Sequence, residues 1–153
     1  MKKTIQHSLV TTFTFILSSA AFACPTLSGN FECYEGAEQQ NFTLSTREQA
    51  GVNVYNINSL EVIADGVPRK RVATDGRVSI FTTSCEDSTL TINEVTKFSS
   101  GFCAQGLVKM DSMSSFISTP DGMEQLEHIK LICPEKPAFL IKKKYQCKKK
   151  GSN

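Results

Sequence analysis

The stretch Arg69-Lys70-Arg71-Val72-Ala73-Thr74-Asp75-Gly76-Arg77-Val78-Ser79-Ile80-Phe81-Thr82 decides the fold class. Asp75-Gly76 lies between two strand-like runs, and a D-G pair in that setting is a strong hairpin cue. Arg69 to Thr74 is a short polar strand. After the turn, Val78, Ile80 and Thr82 alternate with Arg77, Ser79 and Phe81, the period of two that a half-buried strand shows. The same signature recurs in both directions. Upstream, Leu27, Gly29, Phe31 and Cys33 alternate with Ser28, Asn30 and Glu32. Asn41 to Thr46 continues it, and Val52 to Ile63 is one long strand-like run whose phase slips between Val54 and Tyr55, the mark of a bulge or strong bend. Asp65-Gly66-Val67-Pro68 is a turn. Downstream, Leu90 and Ile92 alternate with Thr89, Thr91 and Asn93, Ser99-Ser100-Gly101 turns the chain, and Phe102 to Met110 is a further strand.

Residues 114–133 carry two signals. Thr119-Pro120-Asp121-Gly122 is a hairpin turn with proline and glycine at the positions that favour it. Alternatively Asp121 caps a short C-terminal helix with Glu124 three residues on, followed by Met123, Leu126 and Ile129 at helical spacing. Pro134 and Pro137 end either element, and Phe139 to Cys147 is the last strand. Eight to ten short strands joined by tight turns predict an all-β antiparallel meander. Closing it into a small barrel, first strand against last, removes the exposed edges; a β-sandwich is the second choice.

The chain of 153 residues is 40% apolar and 21% charged, the composition of one globular domain. Its first 23 residues read as a secretory signal peptide: Lys2 and Lys3, an apolar run over 8–20, and Ala21-Phe22-Ala23 as the cleavage site. Cleavage after Ala23 leaves a domain over 24–147 and a basic tail over 148–153, in the periplasm or the medium, with no membrane-spanning segment. Acylation of Cys24 as a lipoprotein is disfavoured by Ala21 at −3, by bulky Phe22 at −2 and by the odd number of cysteines it would leave. Cys24, Cys33, Cys85, Cys103, Cys133 and Cys147 form no C-x-x-C pair and are expected as three structural disulfides, with fifteen possible pairings.

Loss of 1–23 removes two lysines and no acid, leaving fifteen basic and fifteen acidic residues. Six of the basic residues are Lys142, Lys143, Lys144, Lys148, Lys149 and Lys150, so the body before them is acidic. Arg69, Lys70 and Arg71, with Lys148, Lys149 and Lys150, are the candidate patch for an anionic envelope component or an acidic partner. Phe31, Phe42, Tyr55, Phe81, Phe102 and Tyr145 are candidate core or pocket aromatics, as are Phe116 and Phe139. Enzyme chemistry has few residues to use. His128 is the one histidine after position 23, and no G-x-S-x-G, P-loop or dinucleotide-binding glycine pattern occurs. No metal, cofactor or catalytic residue is assigned.

The first strand, with Gly29 and Phe31, resembles the G-x-W opening of lipocalin-like (calycin) barrels, whose aromatic ring plugs one end of the barrel. Here phenylalanine stands in place of tryptophan, and the indole N–H is missing. Phe31-Glu32-Cys33 and Tyr145-Gln146-Cys147 are similar to the aromatic-x-Cys elements of small periplasmic lysozyme inhibitors. Both resemblances imply binding rather than catalysis. The expectation is an exported, non-enzymatic protein-interaction or enzyme-inhibitor module of the cell envelope, with a protein partner. The alternative is a carrier of a small apolar ligand.

Overall fold

The computed structural model describes residues 24–104 and 106–151. The signal peptide read over 1–23, and Ser152 and Asn153 of the tail, lie outside the described residues. Ten strands follow one another: β1 Gly29–Glu35, β2 Glu38–Gln49, β3 Val52–Ile57, β4 Leu60–Ile63, β5 Arg69–Val72, β6 Val78–Glu86, β7 Thr89–Ser99, β8 Leu107–Thr119, β9 Gly122–Ile132 and β10 Phe139–Lys149. They form one antiparallel sheet in the order β4-β3-β2-β1-β10-β9-β8-β7-β6-β5. No helix occurs among the described residues, so none is long and apolar enough to cross a membrane.

Local turn chemistry builds the hairpins. Ala50-Gly51, Asn58-Ser59 and Asp87-Ser88 each place both central residues at positive φ, the geometry whose twist matches that of paired strands. Gly76, at φ 82°, closes the β5–β6 turn by donating its N–H to the Ala73 carbonyl at 3.0 Å. Three sequence expectations are corrected here. The strand expected over Phe102 to Met110 begins only at Leu107, as β8. Val52 to Ile63 is a hairpin rather than one bulged strand: the Asn58-Ser59 turn separates β3 from β4. The possible helix after Asp121 is β9. Thr119 pairs with Gly122 across the turn, and Met123 and Ile129 face one side of the strand while Leu126 faces the other.

The first strand does pair with the last, with Cys33 directly opposite Cys147, but this pairing lies in the middle of the sheet. The two edges are β4 and β5, which follow each other in sequence. Curling brings β4 against β6, and the Gly66 N–H donates to the Thr83 carbonyl at 2.8 Å. No ladder joins β4 to β5 among the described residues, so the sheet is a curled half-barrel rather than the closed barrel expected. Both edges are four residues long, which limits edge-to-edge association.

The concave side holds the core. Leu27, Phe31, Leu44, Tyr55, Leu90, Phe116, Met123 and Tyr145 meet there, each nearly inaccessible. Each such side chain contributes about 1.5–3 kcal/mol of burial. The Tyr55 hydroxyl donates to the Pro25 carbonyl at 2.8 Å, and burial pushes that phenol up to about 12. Cys24–Cys85, Cys33–Cys147 and Cys103–Cys133 are the disulfides, compatible with an oxidising, exported location.

Candidate functional site

The far end of the sheet carries a tip built from two loops. Cys103, between β7 and β8, is bonded to Cys133, between β9 and β10. Beneath the disulfide lies a small second core of Val108, Phe98 and Leu131. The loops are further tied by backbone and side-chain bonds. The Ala104 N–H donates to Glu135 Oε1 at 2.5 Å, and Lys136 Nζ donates to the Phe102 carbonyl at 2.8 Å. The same ammonium sits 5.3 Å from the centre of the Phe102 ring, within cation–π range. Phe102 and Phe139 lie with ring centres 6.5 Å apart, yet remain 45% and 54% exposed. Phe102 and Phe139 are therefore surface groups, where sequence reading placed them with the core aromatics. Phe31, Tyr55, Phe116 and Tyr145 are buried, and Phe42 and Phe81 pack partly buried against them. Cys103, Cys133 and Glu135 form a grouping of metal-ligand residue types, but both sulfurs are committed to the disulfide.

A second polar arrangement lines the concave side below the core. Alternation along β10 turns Lys143 inward and Lys142 and Lys144 outward. Lys143 Nζ donates to Glu38 Oε2, which also accepts from the Tyr145 hydroxyl at 3.1 Å. These two donors hold the Glu38 carboxyl below its usual range, and Glu38 raises the Lys143 ammonium. Glu127 faces Lys143 across the β9–β10 pair. Burial pushes its carboxyl up, opposed by Lys143 and reinforced by Glu35 and Glu38. Next along β9, Gln125 is almost fully buried. Lys143 thus compensates two carboxylates at once. The signs differ: Glu38 adds stability that is lost as pH falls through its lowered folded value. Glu127 weakens the fold as pH rises past the ordinary glutamate value. Lys143→Met is expected to return Glu38 towards the ordinary range and to raise Glu127 further. Carbon-13 NMR titration of the glutamate carboxyls checks both, and two unmoved titrations would contradict the arrangement.

The sequence-defined cationic patch is dispersed. The Arg69 guanidinium forks onto Asp65, with bonds of 2.7 and 2.6 Å, and holds that carboxyl well below the usual range. Arg71 shares the Arg69 face and lines an open cleft of about 290 Å³ with Arg77 and Glu94, whereas Lys70 faces outward. Lys148 and Lys149 belong to β10 rather than to a tail. The Lys149 chain lies over Gly29, and Lys150 Nζ is 3.4 Å from Glu32. His128 is exposed on the outer face of β9. Sequence reading missed the outer apolar face of β5–β7. Strand β6 turns Ser79, Phe81 and Thr83 inward, leaving Val78 and Ile80 in solvent. The signal was present in Phe81, whose bulk claims the inner side.

Compared with models of known protein families, with curated proteins and with solved structures, the chain matches none.

Proposed function

We propose that this chain is an exported, non-enzymatic binding protein, a protein-interaction or enzyme-inhibitor module of the cell envelope, released into the periplasm or the medium after cleavage at Ala23. The observation that carries this reading is the clamped tip: two phenylalanine rings held in solvent by the Cys103–Cys133 disulfide and by Lys136. Exposed aromatics are costly to leave in water and, when pre-organised, serve as anchors that fill a partner's pocket. Rigid loops lose little entropy on docking, which suits an inhibitor. The two aromatic-x-Cys elements, Phe31-Glu32-Cys33 and Tyr145-Gln146-Cys147, lie on paired strands with their cysteines joined, so the scaffold behind the tip is stiff. A carrier has less support, because Phe31, Tyr55, Phe116 and Tyr145 fill the interior where its ligand would sit.

The test is an inhibition panel of purified cell-wall-degrading muramidases and serine proteases, titrated with the protein. Inhibition of at least one is expected, weakened at least about 30-fold in Phe102→Ala/Phe139→Ala, as for a hot spot of about 2 kcal/mol. Thermal unfolding of the variant should match the parent, since both rings are exposed. No inhibition across the panel, together with a small apolar molecule retained in native mass spectrometry, would turn the reading to the carrier.

A further inference from the structure

On the outer face of the half-barrel, Val72 lies opposite Val78 and Ile80 opposite Val95. These four aliphatic side chains are 62%, 38%, 51% and 38% exposed and form one contiguous patch. Continuous register carries the rows across the sheet. Lys97 follows Val78, and Lys70 precedes Ile80; beyond Val95 come Asp111, Lys130 and Leu140. The next row ends in His128 and Lys142. Among the described residues Asp111 is the one acid in these rows, and Lys109 Nζ sits 3.0 Å from its carboxylate. A shallow cleft of about 270 Å³ opens between Met113, Lys130, Leu140 and Lys142, with Asp111, already paired to Lys109, on its wall.

We infer that this outer face docks on the surface of an anionic lipid bilayer. Charge complementarity names the partner. An aliphatic patch rimmed by Lys70, Lys97, Lys130 and Lys142 suits an anionic, apolar-tolerant surface, met by this face alone because the rest of the body is acidic. The residue types separate a bilayer from an acidic protein. The cations over the patch and cleft, Lys70, Lys97, Lys130 and Lys142, are all lysines, which protein interfaces disfavour, and among the described residues neither arginine nor an aromatic ring joins the patch. Lysine suits a layer of phosphates: a flexible stem lies along the apolar boundary and carries a point charge to whichever headgroup is near. Val72, Val78, Ile80 and Val95 would enter the headgroup–acyl boundary, and the cleft would seat one headgroup beside Lys130 and Lys142. Leu140 turns to this outer face and Phe139 to the opposite side of β10, so a docked molecule keeps the Phe102–Phe139 pair available to a protein partner.

Co-sedimentation of the full processed chain with vesicles tests this. The protein should pellet with mixed phosphatidylglycerol–phosphatidylcholine vesicles, lose that binding as sodium chloride is raised, and stay in the supernatant when the vesicles are pure phosphatidylcholine. Lys130→Ala/Lys142→Ala should lower the partition about 25-fold, about fivefold per lysine. Ile80→Ser/Val95→Ser should lower it about tenfold, since each loses apolar area at the boundary. All four residues are exposed, and matching urea midpoints would establish that both variants fold. Absence of partition onto the anionic vesicles, or equal partition of parent and variants, would overturn the inference. So would a dimer in light scattering that Ile80→Ser/Val95→Ser abolishes, because a second copy would then cover the patch. The inhibition panel reads the tip alone, so either result stands apart from the other.

Discussion

Gly122→Ala should cost several kcal/mol, enough to take most molecules out of the native state at moderate temperature. Gly122 opens β9, opposite Lys148 of β10. A Cβ built there would sit 2.2 Å from the Cys147 carbonyl oxygen and 3.2 Å from Lys148 Cα. These are backbone atoms, and they cannot swing aside. Cys147 is tied to Cys33, and the strand on either side is held in two ladders. The residue also has φ +155°, unfavourable to a side chain. The hairpin must therefore lift away from β10 or change register, and a one-residue slip would turn Met123 and Gln125 from the core to solvent. Two comparisons sharpen the result. Among the described residues no heavy atom lies within 4 Å of a Cβ at Gly101, which needs no positive φ, so Gly101→Ala should fall within about 0.5 kcal/mol of the parent. Gly29 also has a positive φ, +140°, but its close neighbour is the end of the flexible Lys149 side chain, which can move, so Gly29→Ala should fall between the other two. Urea unfolding of the three variants measures the ranking; a Gly122→Ala midpoint equal to that of Gly101→Ala would remove the close approach from the account.

Replacing Cys33 and Cys147 together by alanine should be the second large loss. The bond links residues 114 apart, and in the chain-entropy account a loop of that length is worth about 5 kcal/mol of restriction on the unfolded chain. The pair also lies in the main core, with Cys33 fully buried, so two sulfur atoms' packing is lost besides. Cys103–Cys133 spans only 30 residues and covers the small second core. Its removal should cost less, about 3.5 kcal/mol on the same account, and should act first on the tip. The two double variants are thus expected to separate stability from binding. Cys33→Ala/Cys147→Ala lowers the melting temperature most, whereas Cys103→Ala/Cys133→Ala loses more inhibition than its stability predicts. Calorimetry beside the inhibition panel reads both, and the reverse order of melting temperatures would contradict the assignment of the main core.

The candidate sites were harder to read from sequence than the strands, for a geometric reason. A run of like residues along a strand is dealt alternately to two faces. Lys142, Lys143 and Lys144 look like one charge cluster in sequence, but Lys143 turns inward to Glu38 while Lys144 turns outward to Glu124. Arg69 and Lys70 part in the same way, and Arg69 is further committed to Asp65. The acidic groups around Lys143 come from β1, β2 and β9, so no local pattern announces them. Phe102 and Phe139 belong to strand-like stretches whose alternation gives no sign that the sheet runs out beneath them. Val52 to Ile63 misled because Asn58-Ser59 is a turn without glycine or proline.

Alone, the sequence determined the all-β class, the hairpin at Asp75-Gly76 and the even set of six cysteines, and it left 114–133 open between a hairpin at Thr119-Pro120-Asp121-Gly122 and a helix. Turn preference and strand alternation are settled by atoms a few residues apart, so they survive any arrangement of the rest. Tertiary structure alone decided which cysteines meet, which strands became edges, and which side of β6 faces water. Those depend on loop closures spanning up to 114 residues and on the competition of Phe81 against Val78 and Ile80 for one buried side. Only the curl of the whole sheet resolves that competition, because it admits one face to the core and leaves the other to solvent or to a partner.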